Sequence, residues 1–171
     1  MYALADPQIY VLLLRQDDPR KCTAARLARF GIAKPLFRIR QIPHDGLMLN
    51  PMASRVILPN DRNRVTLKLI AIDCSWERAQ TIFSRRLPGL GRRLPTLLAA
   101  NPTNYSKRCK LTSAEALAAA SYILGFKEVA VKLLSLFKWG NTFLTLNNEP
   151  LNEYSLAVSE REMIRAESDF F

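Results

Sequence analysis

Val65-Thr66-Leu67-Lys68-Leu69-Ile70-Ala71-Ile72-Asp73-Cys74-Ser75-Trp76 sets the architecture of this chain. Its first eight residues form the strongest strand pattern in the sequence, apolar enough to lie inside a sheet. The run ends abruptly in an acid, a thiol, a hydroxyl and an indole. Glu77 to Arg86 then reads as a helix, with Ser75 or Asp73 as its cap. A buried strand that gives way to polar residues and a helix start is where an open α/β sheet carries its ligand.

The residues upstream repeat the pattern. Ile9 to Arg15 is a continuous apolar run, as expected for a parallel strand buried on both faces. Gln16-Asp17-Asp18-Pro19 turns the chain, and Arg20 to Phe30 reads as a helix closed by Gly31. Lys21-Cys22-Thr23 stands at this junction. It suits either an anion held by backbone N–H groups and hydroxyls or plain capping by Thr23. Leu36 to Arg40 alternates apolar and basic residues and predicts a strand. Ile42 to Met52 reads as a loop with His44 in an ordinary loop role, Arg55 to Leu58 as a short strand, and Pro59 to Arg64 as a polar turn.

Downstream, Pro88 to Arg93 reads as a loop that can flex. A second strand-to-loop junction follows at Arg93-Leu94-Pro95-Thr96-Leu97-Leu98-Ala99-Ala100-Asn101-Pro102-Thr103-Asn104-Tyr105. Thr112-Ser113-Ala114-Glu115 is a capping-box pattern before an Ala-rich helix that stops at Gly125. Lys127–Lys138, Asn141–Leu146 and Asn152–Val158 continue a helical set, and Ser159–Phe171 is a helix extension or a frayed tail. The expected fold class is α/β, a parallel sheet flanked by helices and followed by a helical C-terminal part. The division falls between an α/β domain over 1–101 and a helical domain over 102–171, with the ligand site between them.

Charge is the informative part of the composition. Residues 1–110 hold 20 basic and 7 acidic side chains and residues 111–171 hold 5 and 8, so the net +10 is +13 in the first part and −3 in the second. From Arg78 to Lys110 there are eight basic residues and no acid. Such a field suits a polyanion, most simply nucleic acid, or serves solubility alone. Three scattered cysteines and a single histidine argue against a zinc site, structural disulfides and a His-based triad. No Walker loop and no Gly-rich dinucleotide fingerprint follows a strand. No apolar run is long enough to span a membrane, and Met1 to Asp6 lacks the parts of a signal peptide. The expectation is a cytoplasmic protein. A nucleotide can still bind through loop backbone, with adenine between the Leu97–Tyr105 loop and Leu49 to Met52. Trp76 suits either the core or a cation–π face for a ligand.

The Asp73–Trp76 and Arg93–Tyr105 motifs, with Leu111-Thr112-Ser113-Ala114-Glu115-Ala116, Lys21-Cys22-Thr23 and the Gly140–Tyr154 segment, resemble the ribosomal small-subunit RNA aminocarboxypropyltransferase family. The resemblance runs from Ile9 to Leu156. The Asp-x-Ser-Trp element is similar to that of the wider DTW group. It implies a SPOUT-like fold with a deep trefoil knot. The implied reaction transfers the 3-amino-3-carboxypropyl group of S-adenosylmethionine to nitrogen-3 of a modified uridine or pseudouridine in small-subunit ribosomal RNA, with methylthioadenosine as by-product and no metal.

Under that resemblance the Leu97–Tyr105 loop holds adenine through backbone groups, Leu49 and Pro51 add apolar contacts, and Ile72 serves the ribose. Trp76 packs on the methionyl part, and Thr23 and Thr112 meet its polar end. Asp73 is a candidate general base, a ligand of the donor's ammonium, or a helix cap. Arg62, Arg64, Lys68, Arg85, Arg86, Arg92 and Arg93 are candidates for RNA phosphate contact. The expected partner is small-subunit ribosomal RNA or a pre-ribosomal subunit, met by a monomer. Two alternatives stand beside this reading: a SPOUT-like methyltransferase using the same donor, and a non-catalytic RNA-binding assembly factor.

Overall fold

The computed structural model of the chain describes residues 5–15, 18 and 20–171. The turn expected at Gln16, Asp17 and Pro19 therefore lies outside the described residues. A five-stranded parallel sheet runs β1 (Gln8–Leu13), β2 (Lys34–Leu36), β3 (Leu47–Leu49), β4 (Lys68–Asp73) and β5 (Leu90–Arg92), in the spatial order β2-β1-β4-β3-β5. The strand expected over Val65–Ile72 begins only at Lys68, as β4, and is the centre of this sheet. β1 lies along its whole length, from Gln8 opposite Lys68 to Leu13 opposite Asp73.

Side chains alternate across the pleat, and both faces are covered. Val11, Leu47, Leu49, Leu69 and Ala71 face the larger core, beneath α1 (Thr23–Arg29) and the C-terminal helices. Leu12, Met48, Ile70 and Ile72 face a smaller core closed by Ala79, Ile82 and Phe83 of α2 (Trp76–Phe83). The Ala-rich α3 (Ser113–Ile123) is buried almost all round and packs on β4, α1 and α4 (Lys127–Leu134). Small side chains permit that close approach. α5 (Gly140–Leu146), α6 (Asn148–Tyr154) and α7 (Glu160–Phe170) complete the helical set. The tail is a full helix, capped by the Ser159 hydroxyl, which accepts from Glu162 N at 3.2 Å.

Several expectations need correction. Leu47 to Leu49, read as loop, is a fully buried strand, and the flexible Pro88–Arg93 loop contains β5. The strand expected at Leu36–Arg40 stops at Leu36 and turns into a 3-10 helix, and Arg55–Leu58 reduces to a single bridge between Val56 and Arg93. The apolar run after Arg93 is extended but stands outside the sheet, which ends at β5.

Candidate functional site

A cavity of about 590 Å³ opens at the carboxyl ends of β3 and β4, the position expected of an open parallel sheet. Its size suits a small organic ligand. Five stretches wall it: Cys22 and Thr23 at the start of α1, Leu49 to Pro51 at the end of β3, Ala71 to Trp76 at the end of β4, Arg93 to Pro95, and Lys110 to Ser113 at the start of α3. Asn101, Thr103 and Asn104 from the intervening loop and Glu167 of α7 close it. Residues on both sides of position 101 thus contribute.

Asp73 is set at the cavity by register, opposite the last residue of β1. The Cys22 thiol reaches it from α1 and donates to Oδ2 at 3.0 Å. The same sulfur caps α1 by accepting from Ala25 N at 3.2 Å, so the capping role expected of Thr23 belongs to its neighbour. Burial, then the hydrogen bond to Asp73, pushes the Cys22 thiol up to about 12, which keeps it a protonated donor at neutral pH. The Thr23 hydroxyl instead accepts from Ala114 N at 3.2 Å and ties α1 to α3.

The loop beneath the cavity hangs on Glu115, which is fully buried. Its carboxylate accepts from Ala100 N (2.7 Å), Asn101 N (3.0 Å) and Asn101 Nδ2 (2.9 Å), and from Thr112 N (2.7 Å) and Thr112 Oγ1 (3.0 Å). The capping box legible in the sequence is real, and it carries a second, long-range duty. A buried carboxylate with this many donors is well compensated for lost hydration.

Along Arg93–Leu98, Arg93 and Leu97 bond to the backbone of Arg55, Ile57 and Cys109, and side chains meet Thr96 and Leu98. Asn147 brackets Leu98, accepting from its N–H at 2.8 Å and donating to its carbonyl at 2.9 Å. Tyr154 donates to the Thr96 carbonyl at 2.9 Å. Glu167 accepts from Thr96 N and Oγ1, both at 2.7 Å, and pairs with Arg93 at 3.2 Å. Burial alone would push the Glu167 carboxyl up, but the Thr96 hydrogen bonds and Arg93 outweigh it and hold it below the usual carboxylate value.

Trp76 is 40% exposed at the cavity wall, and Lys110 Nζ stands 4.7 Å from its ring centroid. Thr23, Leu49, Pro51, Ile72, Asp73, Trp76 and Thr112 therefore meet at one cavity. Leu97 and Tyr105 do not line it: Leu97 is wholly buried in the main core and Tyr105 points out at 58% exposure. The Thr112 hydroxyl is engaged by Glu115 as donor and acceptor.

The basic candidates divide. Arg92 is held by Asp61 through two bonds of 3.0 and 3.1 Å, Lys68 by Asp45 at 2.7 Å, and Arg93 by Glu167. Arg64 donates to the Asp61 and Asp45 carbonyls. Arg62, Arg85 and Arg86 are exposed and form no ion pair among the described residues. Asn101, Thr103 and Asn104 place the expected Leu97–Tyr105 loop at the wall, but sequence reasoning missed Lys110 and Glu167. Nothing local marks Glu167, which lies 71 residues from Thr96. Among the described residues no three His, Cys, Asp or Glu side chains group closely enough to hold a metal ion.

A parallel α/β sheet with a ligand-sized cleft at its strand ends, backed by a compact helical set, defines an α/β small-ligand-binding protein. Residues 47–171 match the family described as "Ribosome biogenesis protein, C-terminal". The 16S rRNA aminocarboxypropyltransferase of Methanosarcina mazei is 42% identical over 167 residues, covering 96% of this chain and 95% of that protein. Its namesake from Thermoplasma acidophilum is 47% identical over 157 residues, covering 90% and 93%. The solved structure of the SAM-dependent rRNA:acp-transferase Tsr3 from Vulcanisaeta distributa superposes with a TM-score of 0.83 at 37% identity, covering 97% of this chain and 96% of that one. The chain belongs to the 16S rRNA aminocarboxypropyltransferase family. Residues 7–39 also match a possible Fer4-like domain in RNase L inhibitor. That stretch holds one cysteine, Cys22, whereas such clusters take four, and here it folds as β1, α1 and β2.

Proposed function

We propose that this chain transfers the 3-amino-3-carboxypropyl group of S-adenosylmethionine to nitrogen-3 of a uridine-type base in small-subunit ribosomal RNA, leaving methylthioadenosine. The observation that carries this reading is the single cavity joining Asp73, Trp76 and Thr23, in a chain about two-fifths identical end to end to 16S rRNA aminocarboxypropyltransferases.

The residues fit the donor. Leu49 and Pro51 offer apolar surface for a purine. The loop carrying Asn101 to Asn104, held from behind by Glu115, offers backbone groups to its edge. The Trp76 ring already attracts one cation, Lys110, and presents the same field to a sulfonium. Thr23 Oγ1 accepts from Ala114 N, which leaves its hydroxyl proton able to donate to the polar end. We assign Thr112 to that end through its position rather than through its hydroxyl.

The chemistry is a substitution at carbon. Asp73 takes the proton of N3, the nitrogen lone pair forms the new bond to the methionyl carbon beside sulfur, and the carbon–sulfur bond breaks with its electron pair left on a neutral thioether. Positioning carries most of the acceleration, because the enzyme must present that carbon and keep the methyl group out of reach. Trp76 serves as the barrier. In the same reading the chain acts as a cytoplasmic monomer on ribosomal RNA, with Arg62, Arg85 and Arg86 as its phosphate contacts. The division at residue 101 separates a basic α/β wall from a helical wall. A SPOUT-like deep trefoil knot, with kinship to the DTW group, belongs to the proposal too. Its support is the Ala-rich α3, seated closely against β4 and α1.

Incubation of the protein with small-subunit ribosomal RNA and either carboxyl-labelled or methyl-labelled donor tests the reading. Label entering RNA from the carboxyl position is the expected result. Label entering only from the methyl position would mean a methyltransferase, and no binding of the donor in calorimetry would mean an assembly factor.

A further inference from the structure

Outside the cavity the surface carries a ladder of cations and rings that the proposed chemistry does not use. Arg29 Cζ lies 5.4 Å from the Phe30 ring centroid, and Arg26 Cζ lies 5.7 Å from the same ring. Arg26 also stands 5.6 Å from the Phe137 ring, which stacks on Trp139 at 5.0 Å and 28°. Five side chains from α1 and the α4–α5 connection thus alternate guanidinium and aromatic planes. Phe30 is 54% exposed, and both arginines are exposed. Residues 19–44, which contain α1, hold seven basic and no acidic side chains.

The ladder begins where the cavity ends. Thr23 lines the cavity, and Arg26 and Phe30 follow it at i+3 and i+7, on one side of the helix. At 1.5 Å per residue the run from Thr23 to Phe30 covers about 10 Å, the reach of a few nucleotides from the reacting base.

Burial does not explain Phe30, which leaves half its surface in water, whereas Phe137 and Trp139 are half-buried against the main core. A single exposed cation–π contact is weak, little reason to set three of them in a row beside a stacked ring pair. An exposed ring and two half-buried ones set beside guanidinium planes suit unstacked bases and their phosphates, because every base has a π face and every linkage a charge. A duplex would use the charges and leave the rings idle.

We propose that Arg26, Arg29, Phe30, Phe137 and Trp139 form a docking surface for a single-stranded segment of the RNA substrate next to the acceptor nucleotide. This rests on the RNA-modification reading and extends it to how the flanking strand is held.

Fluorescence anisotropy with the full chain and a labelled single-stranded ribosomal-RNA oligonucleotide, across a salt series, tests it. Arg26→Ala with Arg29→Ala should lower the slope of log affinity against log salt by about 1.4, from about 0.7 per phosphate. Phe30→Ala should weaken binding at least about fivefold. Donor binding in calorimetry should stay at the wild-type value in both variants, which also reports that they fold. Wild-type affinity and slope in the variants would overturn the proposal, as would an equal loss on a duplex of the same sequence. So would loss of binding to anionic phospholipid vesicles with RNA binding intact, which would make the surface a membrane contact. Failure of the functional reading looks different: the wild-type chain would then transfer no carboxyl label, whatever the variants do to RNA binding.

Discussion

The Cys22 thiol donates to Asp73 across 3.0 Å, tying the first turn of α1 to the end of β4 over a separation of 51 residues. One side chain thereby caps a helix and orients the candidate base. Cys22→Ala should cost about 1 kcal/mol at neutral pH through the lost cap alone, whereas Cys22→Ser, which keeps a donor and an acceptor, should cost less. The folded thiol value lies above the unfolded one, so its contribution is complete below about 9 and lost as pH rises toward about 12. Denaturant melts at rising pH should show the gap between wild type and Cys22→Ala closing across that window. A constant gap would mean that the thiol does not titrate as its burial and its bond to Asp73 require.

Glu167 behaves in the opposite sense. Its folded value is held below 4.5, so its stabilisation is present above that pH and is lost as pH falls through the folded value. Glu167→Gln should destabilise the fold by about 1–3 kcal/mol at pH 7, because the Arg93 and Thr96 donors lose an anionic acceptor. The difference should shrink in acid. Donor affinity should fall as well, since Arg93 to Pro95 form a wall of the cavity.

Trp76 is a test of site rather than of stability. At 40% exposure its removal leaves little cavity in the core, and Trp76→Ala should change the melting free energy by no more than about 1 kcal/mol. Calorimetry should show S-adenosylmethionine binding about tenfold or more weaker, the scale of a desolvated cation–π contact. Trp76→Phe should recover part of it.

The arginines should sort by their partners. Arg92 and Asp61 are each only 12% exposed, so Arg92→Ala strands a buried carboxylate and should cost about 3 kcal/mol. Arg85→Ala and Arg86→Ala should leave stability within about 0.5 kcal/mol. If they meet phosphates, each should flatten the salt dependence of RNA binding by about 0.7 to 0.9. Urea melts and a salt titration of RNA binding on the same variants check both halves.

Local patterns foretold the elements whose stabilisation is local. Ile9–Leu13 and Leu69–Ile72 are apolar enough to be buried on both faces wherever they pair, and Thr112 with Glu115 closes its own helix start. The Asp73–Trp76 corner was legible because a strand end and a helix start adjoin in sequence. β3 and β5 were not, since three residues carry no usable period and their partners come from distant parts of the chain. The segment after Arg93 shows the limit most plainly. Its apolar run satisfies a strand pattern, yet its backbone is met by Asn147 at the α5–α6 junction, Tyr154 of α6 and Glu167 of α7. The sequence settles that those amides and carbonyls need partners. Which groups supply them, and so where the cavity wall stands, depends on how the C-terminal helices pack, because hydrogen bonds from side chains some 50 to 70 residues away leave no periodic trace.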